Sequence, residues 1–235
     1  MYFAWFFVYR PKLWGYDDTH MNNNHRYNPV MKTDRSKTSE TQSPAMNLKG
    51  QFLIAMPTMH GDAFERAVIY VCDHSNSGAL GLMINRTTDV KISDILTRLQ
   101  AEDEGLHINY PLPMQTEQNV YFGGPVQTER GFVLHSPYKE YAATVRINEE
   151  LGLTSSRDIL EDVAQGKGPE NILLALGYAG WGAGQLEEEL ARNVWLTVPA
   201  DTHVLFETLP TEKYQQAMRL LGISEAMLSD VAGHA

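Results

Sequence analysis

Short apolar runs recur along the chain from Gln51 onward, each bounded by Gly, Pro, Asp or Asn. Their β-branched residues and their lengths of about four to eight residues are typical of strands. Strands are predicted at Gln51–Met56, Arg66–Cys72, Ala79–Ile84, Val120–Phe122, Gly131–His135, Thr144–Ile147, Ile172–Tyr178 and Val194–Val198. Helices are predicted at Ile92–Leu99, Ser156–Ala164, Gln185–Asn193, Thr211–Leu221 and Ser224–Val231. Strands dominate without regular alternation with helices, so the predicted class is α+β.

Residues 1–45 differ in composition from the rest of the chain. The stretch 10–45 shows no helical or strand period and is rich in Asn, Ser, Thr, Asp and Pro, which is typical of a disordered tail. Patterned sequence begins at Met46. The segment is either a genuine flexible extension or an upstream mistranslation of a chain that starts at Met46. One domain is predicted over residues 46–235.

Net charge is unevenly spread along the chain. There are 19 Lys and Arg against 29 Asp and Glu, a formal charge of −10. Residues 1–45 hold six basic and four acidic side chains, which leaves −12 for the remainder. Such a field repels phosphate backbones and anionic lipid, and no local basic patch offsets it. Direct binding to nucleic acid or to a membrane is therefore not expected.

The single cysteine and the N-terminal apolar run indicate the cellular compartment of the protein. Cys72 is the only cysteine, so no intrachain disulfide forms and a reducing compartment is indicated. The run MYFAWFFVY has nine residues, whereas a membrane span needs roughly twenty. No basic region precedes it, as it would in a secretory signal. A cytoplasmic protein is predicted.

A glycine-rich segment, Gly177–Gln185, joins a predicted strand to a predicted helix. Such turns can cradle a phosphate on backbone N–H groups. The first turn of this helix carries Glu187, Glu188 and Glu189, which repel a phosphate, and this segment contains no Lys-Ser or Lys-Thr pair to hold a nucleotide. A tight turn is therefore favoured, and no cofactor is predicted. We expect Trp181 to be partly exposed and its alanine variant to lose less than about 2 kcal/mol.

A second glycine pair follows the predicted strand Val120–Phe122. Gly123 and Gly124 are free to adopt positive φ, and Pro125 then fixes the backbone. The loop either exposes backbone N–H groups as a ligand nest or links two strands. The linking role is favoured.

Candidate catalytic groups are few. Cys72 and His74 share one face if the strand continues, as in a Cys-His pair, but a lone cysteine in an apolar strand is most often buried. His60, Asp62 and Glu65 either supply acid–base groups or a metal corner, or belong to a loop that caps the next element. No Cys/His spacing matches a structural zinc site. No catalytic residue and no metal are predicted.

The C-terminal segment has the rhythm of a helix-turn-helix. A recognition helix presents Arg, Lys, Asn or Gln to base edges, whereas the helix here offers Ser224, Glu225, Ser229 and Asp230. An acidic recognition helix is repelled by DNA. The segment is predicted to be a helical hairpin packed on the core.

Six motifs follow one another along residues 46–235. They are GQFLIAMP at 50–57, FERAVIY at 64–70, GALGLMIN at 78–85, FGGPV at 122–126, GYAGWGAGQLEEE at 177–189 and GHA at 233–235. Together they resemble the YqgE/AlgH family of bacterial proteins. The resemblance implies a bent, barrel-like mixed sheet flanked by helices, and it supplies no catalytic residues. The family is commonly labelled as transcriptional regulators, which the charge distribution disfavours in the literal sense.

Three functions remain open at this point. The leading one is a non-enzymatic protein that binds another protein or a small ligand and affects regulation indirectly. Its predicted binding face consists of Gly123, Gly124, Pro125, Tyr178, Trp181, Gly182 and Gln185. The alternatives are direct transcriptional regulation and an unrecognised hydrolase that uses Cys72 with His74, or His60 with Asp62.

Overall fold

Ten strands and five α-helices account for most of the regular structure in the described residues. The computed structural model describes residues 46–57, 59, 63–102, 108 and 110–223. The strands are β1 (Gln51–Ala55), β2 (Val68–Ser75), β3 (Gly78–Met83), β4 (Thr87–Lys91), β5 (Asn119–Phe122), β6 (Val126–Ser136), β7 (Thr144–Arg146), β8 (Gly152–Thr154), β9 (Asn171–Gly182) and β10 (Trp195–Pro199). The helices are α1 (Ile92–Glu102), α2 (Asp158–Ala164), α3 (Gln185–Ala191), α4 (Thr202–Phe206) and α5 (Lys213–Leu220), with a 3₁₀ helix at Met114–Glu117.

The strands form one curled, mainly antiparallel sheet. Its main path runs β10-β1-β2-β3-β9-β6-β8-β7. β5 adds a parallel pairing with β9 and an antiparallel pairing with β4. The sheet is therefore mixed, and the predicted α+β class with a bent, barrel-like sheet flanked by helices is confirmed.

Strand β9 belongs to both halves of this sheet. Up to Leu176 it pairs with β5 and β6, at Tyr178 it pairs with Val126 of β6, and from Ala179 onward it pairs with β3. Gly177 lies at the junction with a φ of 72°. Leu176 faces one apolar cluster, whereas Tyr178, two positions later, packs against another. The glycine thus shifts the side-chain alternation by one residue and lets the sheet bend here.

Three apolar clusters separate the sheet from its helices. The α4–α5 cluster lies between the sheet and α4 and α5, and it includes Phe52, Tyr70, Phe132, Leu205 and Tyr214. The α1–α2 cluster covers another part of the sheet and includes Leu96, Val133, Ile159, Leu174 and Leu176. The α3 cluster includes Ile69, Ala179, Trp181, Leu186 and Trp195. Both faces of the sheet are thereby covered, which explains the nearly continuous apolar runs in β2 and β3.

The largest error in the predicted elements concerns the glycine-rich segment. β9 extends to Gly182, so most of the predicted loop at Gly177–Gln185 is strand. Glycines in a strand permit close backbone approach. A Cβ on Gly78 of the neighbouring strand would stand only 2.1 Å from the carbonyl oxygen of Trp181.

Four elements were missed, namely β4, β8, α4 and the 3₁₀ helix at Met114–Glu117. β4 is polar and half exposed, and β8 has only three residues. α4 has five residues, and its signal is the N-cap Asp201, whose carboxylate accepts the Val204 N–H at 3.1 Å. Elements this short have too few positions to show a period.

Several predictions concern residues outside the described ranges. These are the tail at 1–45, the pair His60 and Asp62, and the second helix of the C-terminal hairpin at Ser224–Val231. The first helix of the hairpin is α5. None of the described helices is long and apolar enough to cross a membrane.

Candidate functional site

The predicted site residues lie in two groups along β9. Gly123 and Gly124 contact its bend, and Pro125 continues from them into β6. Tyr178 follows the bend directly. Trp181, Gly182 and Gln185 lie at the end of β9 and the start of α3.

Gly123 and Gly124 allow two backbones to touch. A Cβ on Gly123 would stand 2.3 Å from the carbonyl oxygen of Gly177, and one on Gly124 would stand 2.2 Å from the carbonyl carbon of Tyr178. Gly124 also has a φ of 151°. The Gly123 N–H donates to the carbonyl of Leu176 at 2.8 Å. That N–H is engaged in the sheet, so the glycine pair acts as a close-packed link between strands.

Trp181 is buried, with 6% of its surface exposed, so the expected partial exposure is wrong. Because β9 continues through this position, the side chain points into the α3 cluster. The indole packs edge to face on Trp195, with ring centroids 6.1 Å apart.

A single carboxylate, that of Glu189, ties this tryptophan pair to α3. The Nε1–H groups of Trp181 and Trp195 donate to its Oε2 at 2.8 and 2.7 Å. The Gln185 amide donates to its Oε1 at 2.9 Å and accepts the Gly182 N–H at 3.1 Å. Both buried indole N–H groups are therefore satisfied. This role of Glu189 was not predicted from the sequence, although the residue lies four positions after Gln185 on a predicted helix.

Cys72 and His74 do not form a pair. The register shifts between Val71 and Asp73, and this bulge undoes the shared face expected of a regular strand. Cys72 is fully buried in the α4–α5 cluster, and burial raises the pKa of its thiol. His74 instead accepts the Leu48 N–H at Nδ1 (3.1 Å) and meets Glu187 through Nε2 (3.0 Å).

His135 and Lys213 are two further buried titratable side chains with polar partners. His135 Nε2 lies 2.9 Å from the Thr154 hydroxyl, and burial lowers the pKa of the imidazole. The Lys213 ammonium donates to the Leu205 carbonyl at 2.6 Å and lies 3.4 Å from the Tyr121 hydroxyl. Burial lowers the Lys213 pKa to about 7. Within the described ranges, no three His, Cys, Asp or Glu side chains are placed to hold a metal ion.

Tyr178 lies on the surface next to Arg130, a basic residue that was not among the predicted site residues. The Tyr178 ring packs edge to face on Phe132, with centroids 5.6 Å apart. The Arg130 guanidinium lies over the same Phe132 ring, 5.1 Å from its centroid. Arg130 donates to the Gln127 amide oxygen at 3.3 Å and to the Ser155 hydroxyl at 3.1 Å. We call Pro125, Gln127, Arg130, Ser155 and Tyr178 the Arg130 surface.

The guanidinium of Arg130, like the ammonium groups of Lys167 and Lys213, is hydrogen-bonded to neutral groups in the described part of the chain. Six other Lys and Arg side chains lie within 4.0 Å of a carboxylate in the described ranges. Among the described residues, Arg130 has neutral hydrogen-bonding partners only. Burial lowers its pKa, an effect that the nearby Tyr178 phenol opposes. No sequence signal marks Arg130, because Gln127 to Arg130 belong to a bulge where the β6–β9 register shifts between Val126 and Gly131.

Comparison with known proteins identifies the family. A family model described as AlgH-like matches residues 52–226. The chain belongs to this AlgH-like family. A UPF0301 protein of Burkholderia vietnamiensis is 51% identical over 198 residues, which are 82% of this chain and 98% of that protein. One from Thiobacillus denitrificans is 50% identical over 191 residues, covering 81% and 98% of the two chains.

Solved structures support the AlgH-like fold. The solution structure of the AlgH protein from Pseudomonas aeruginosa has a TM-score of 0.64 and 43% identity, and the match covers 83% of this chain and 99% of that one. A crystal structure from Corynebacterium diphtheriae has a TM-score of 0.58 at 20% identity, covering 78% and 92% of the two chains. The second likeness concerns the fold alone. The names of these relatives state no activity.

Proposed function

We propose that this AlgH-like chain is a non-catalytic bacterial binding protein of the cytoplasm that influences regulation indirectly. It takes a small ligand or a partner at the Arg130 surface. One observation carries the proposal: Arg130 is a partly buried cation with neutral partners, next to the half-buried ring of Tyr178. Charged groups held without a counter-charge at a surface are suited to recognise an incoming opposite charge.

The state of the reactive side chains supports a non-catalytic role. Cys72 is buried as a thiol, and the imidazole of His74 is engaged on both nitrogens. His135 is fully buried. A catalytic group must reach its substrate within hydrogen-bond distance, and these three side chains are closed off by the protein itself. The Cys72–His74 hydrolase is therefore not proposed.

The indirect nature of the regulatory role follows from charge. With −12 over residues 46–235, the domain repels DNA at long range. A regulatory effect is then passed on through the bound ligand or partner. The single buried cysteine suits a reducing compartment.

The proposal is tested by a ligand screen on the full chain, read by amide chemical shifts in ¹⁵N-labelled protein. We expect compounds that shift the amide signals of Arg130, Ser155 and Tyr178 in a saturable way. Arg146 serves as an internal control, because it is exposed and paired with Glu149. A screen in which no compound moves the three amides, or in which all responses lie elsewhere, would contradict the proposal.

A further inference from the structure

We propose that the Arg130 surface binds the carboxylate of a small organic acid, with the apolar part of the acid lying against Tyr178 and Pro125. This inference rests on the proposed function and names the class of ligand for the same surface.

The Arg130 guanidinium has more hydrogen-bond donors than its partners in the described residues use. A guanidinium has five N–H donors in a planar fork, and two side-chain bonds are formed here, to Gln127 and to Ser155. Three donors remain. These two bonds and the Phe132 ring beneath hold the fork in one orientation. A pre-oriented fork is the arrangement that pairs with the two oxygens of a carboxylate.

The Arg130 guanidinium is partly shielded from water, which strengthens its attraction to an anion. Arg130 and Ser155 are each partly buried, and burial lowers the Arg130 pKa. A charge that has already lost part of its hydration gains more from an anion, because the local dielectric constant is lower than in water. Much of the desolvation cost is thus already met in the folded protein.

The single positive charge distinguishes a carboxylate from a phosphate. Arg130 is the one basic residue among the five that define the Arg130 surface, and Glu129, the preceding residue in the chain, is exposed and acidic. A phosphate dianion is repelled more strongly than a monoanion by a domain of charge −12. One guanidinium matches one carboxylate in both charge and geometry.

The neighbouring groups set the size of the ligand. Tyr178 offers a half-buried ring, and Gly180 brings no side chain onto it. Pro125 is exposed and directly precedes Val126, which pairs with Tyr178 in the sheet. A Cβ at Gly180 would stand 2.9 Å from the Tyr178 ring. The Arg130 guanidinium and the Tyr178 ring lie 5.1 and 5.6 Å from the centre of the same Phe132 ring, so we choose an acid with one aromatic ring as the simplest ligand with both a carboxylate and an apolar part.

The test uses benzoate as the probe, with acetate and inorganic phosphate as comparisons, titrated into the full ¹⁵N-labelled chain. Benzoate should shift the Arg130, Ser155 and Tyr178 amides with a dissociation constant of about a millimolar. Acetate, which lacks the ring, should bind at least about fivefold more weakly, and so should phosphate.

Two substitutions of Arg130 distinguish the effect of its positive charge from that of its planar, forked geometry. Arg130→Gln should weaken benzoate binding at least about tenfold, and Arg130→Lys, which keeps the charge but loses the fork, should weaken it several-fold. Arg146→Gln is the matched control and should bind like the parent chain. Should Arg130→Gln fail to fold, the lysine variant and the ligand comparison still decide the question.

Three results would overturn the inference. One is benzoate binding of parental strength in both Arg130 variants. Another is phosphate binding tighter than benzoate at the same amides. The third is a screen that finds only ligands without an acid group at this surface, with affinities that the Arg130 substitutions do not change. That result would contradict the carboxylate inference but would still agree with the proposed function. Loss of every response at the surface would refute both.

Discussion

At the scale of single residues, Lys213 is a basic side chain in the core, where burial of a charge is costly. It is fully buried, and no carboxylate lies within ion-pair distance in the described ranges. Its ammonium donates to Leu205, one of the carbonyls in the last turn of α4 that a helix leaves unpaired. It also lies 4.9 Å from the centre of the Tyr121 ring, within cation–π range. Lys213 thus joins α5 to the C-terminal end of α4.

The lowered pKa of Lys213 makes stability depend on pH. Between about 7 and the ordinary value of 10.5, the unfolded chain binds more protons than the folded chain, so this contribution rises with pH. It is fully present above 10.5 and is lost as the pH falls to about 7. Relative to Lys213→Met, the parent chain should gain up to about 1.4 kcal/mol per pH unit within this window. Urea unfolding at pH 7, 8 and 9 measures the difference.

The control for this comparison is Lys167→Met, because Lys167 is exposed and its ammonium donates to the side chain of Gln165 at the surface. Removing this exposed side chain should change the free energy of unfolding by no more than about 0.5 kcal/mol at each of the three pH values. A pH-independent difference for Lys213→Met would mean that the lysine titrates normally.

Trp181 provides a second prediction at the residue scale. Because the indole is buried and its N–H reaches Glu189, Trp181→Ala should lose about 3–5 kcal/mol. Trp181→Phe keeps most of the packing and should lose about 1–2 kcal/mol with the hydrogen bond. Met114, 90% exposed, is the control, and its alanine variant should stay within about 0.5 kcal/mol. Urea denaturation gives all three values, and a loss below about 2 kcal/mol for Trp181→Ala would contradict this packing.

At the scale of elements, the bend of β9 depends on Gly177. Gly177 and Gly166 have nearly equal φ values of 72° and 71°. A Cβ on Gly177 would stand 2.4 Å from the Gly124 carbonyl oxygen, whereas one on Gly166 meets nothing within 4 Å. Gly166→Ala should therefore lose only the conformational strain of about 1–2 kcal/mol. Gly177→Ala should lose at least about 2 kcal/mol more, or fail to fold.

Thermal and urea unfolding of the two alanine variants tests this difference directly. Equal losses would show that the contact between Gly177 and Gly124 is not needed for the bend.

The sequence predicts elements where the apolar pattern is long enough to show its period. β1, β3, β5 and β10 were expected within about one residue of their observed ends. The bend at Gly177 was interpreted as a loop, because glycine spacing alone does not distinguish a turn from two strands in close contact. Of the five residues of the Arg130 surface, only Pro125 and Tyr178 were predicted as site residues from the sequence. Its other members come together through a bulge that no local pattern marks.

At the scale of the whole molecule, the acidic domain should bind DNA poorly. With −12 over residues 46–235, we expect a dissociation constant above about 10⁻⁴ M for duplex DNA at about 150 mM salt, weaker than most non-specific binding. Fluorescence anisotropy of a labelled duplex measures it, with a repeat at low salt to favour any electrostatic attraction. Saturable binding below a micromolar would restore direct transcriptional regulation as the leading function.

The pairing of β1 with β10 has a consequence for how the protein is made. Gln51 pairs with Pro199, and Ala55 pairs with Trp195. β3 likewise pairs with the far end of β9, where Gly78 lies opposite Gly182. Contacts between positions more than a hundred residues apart slow folding, because a long loop must close first. During translation β1, β2 and β3 leave the ribosome long before β9 and β10 exist, so their apolar edges stay open to chaperones until synthesis is nearly finished.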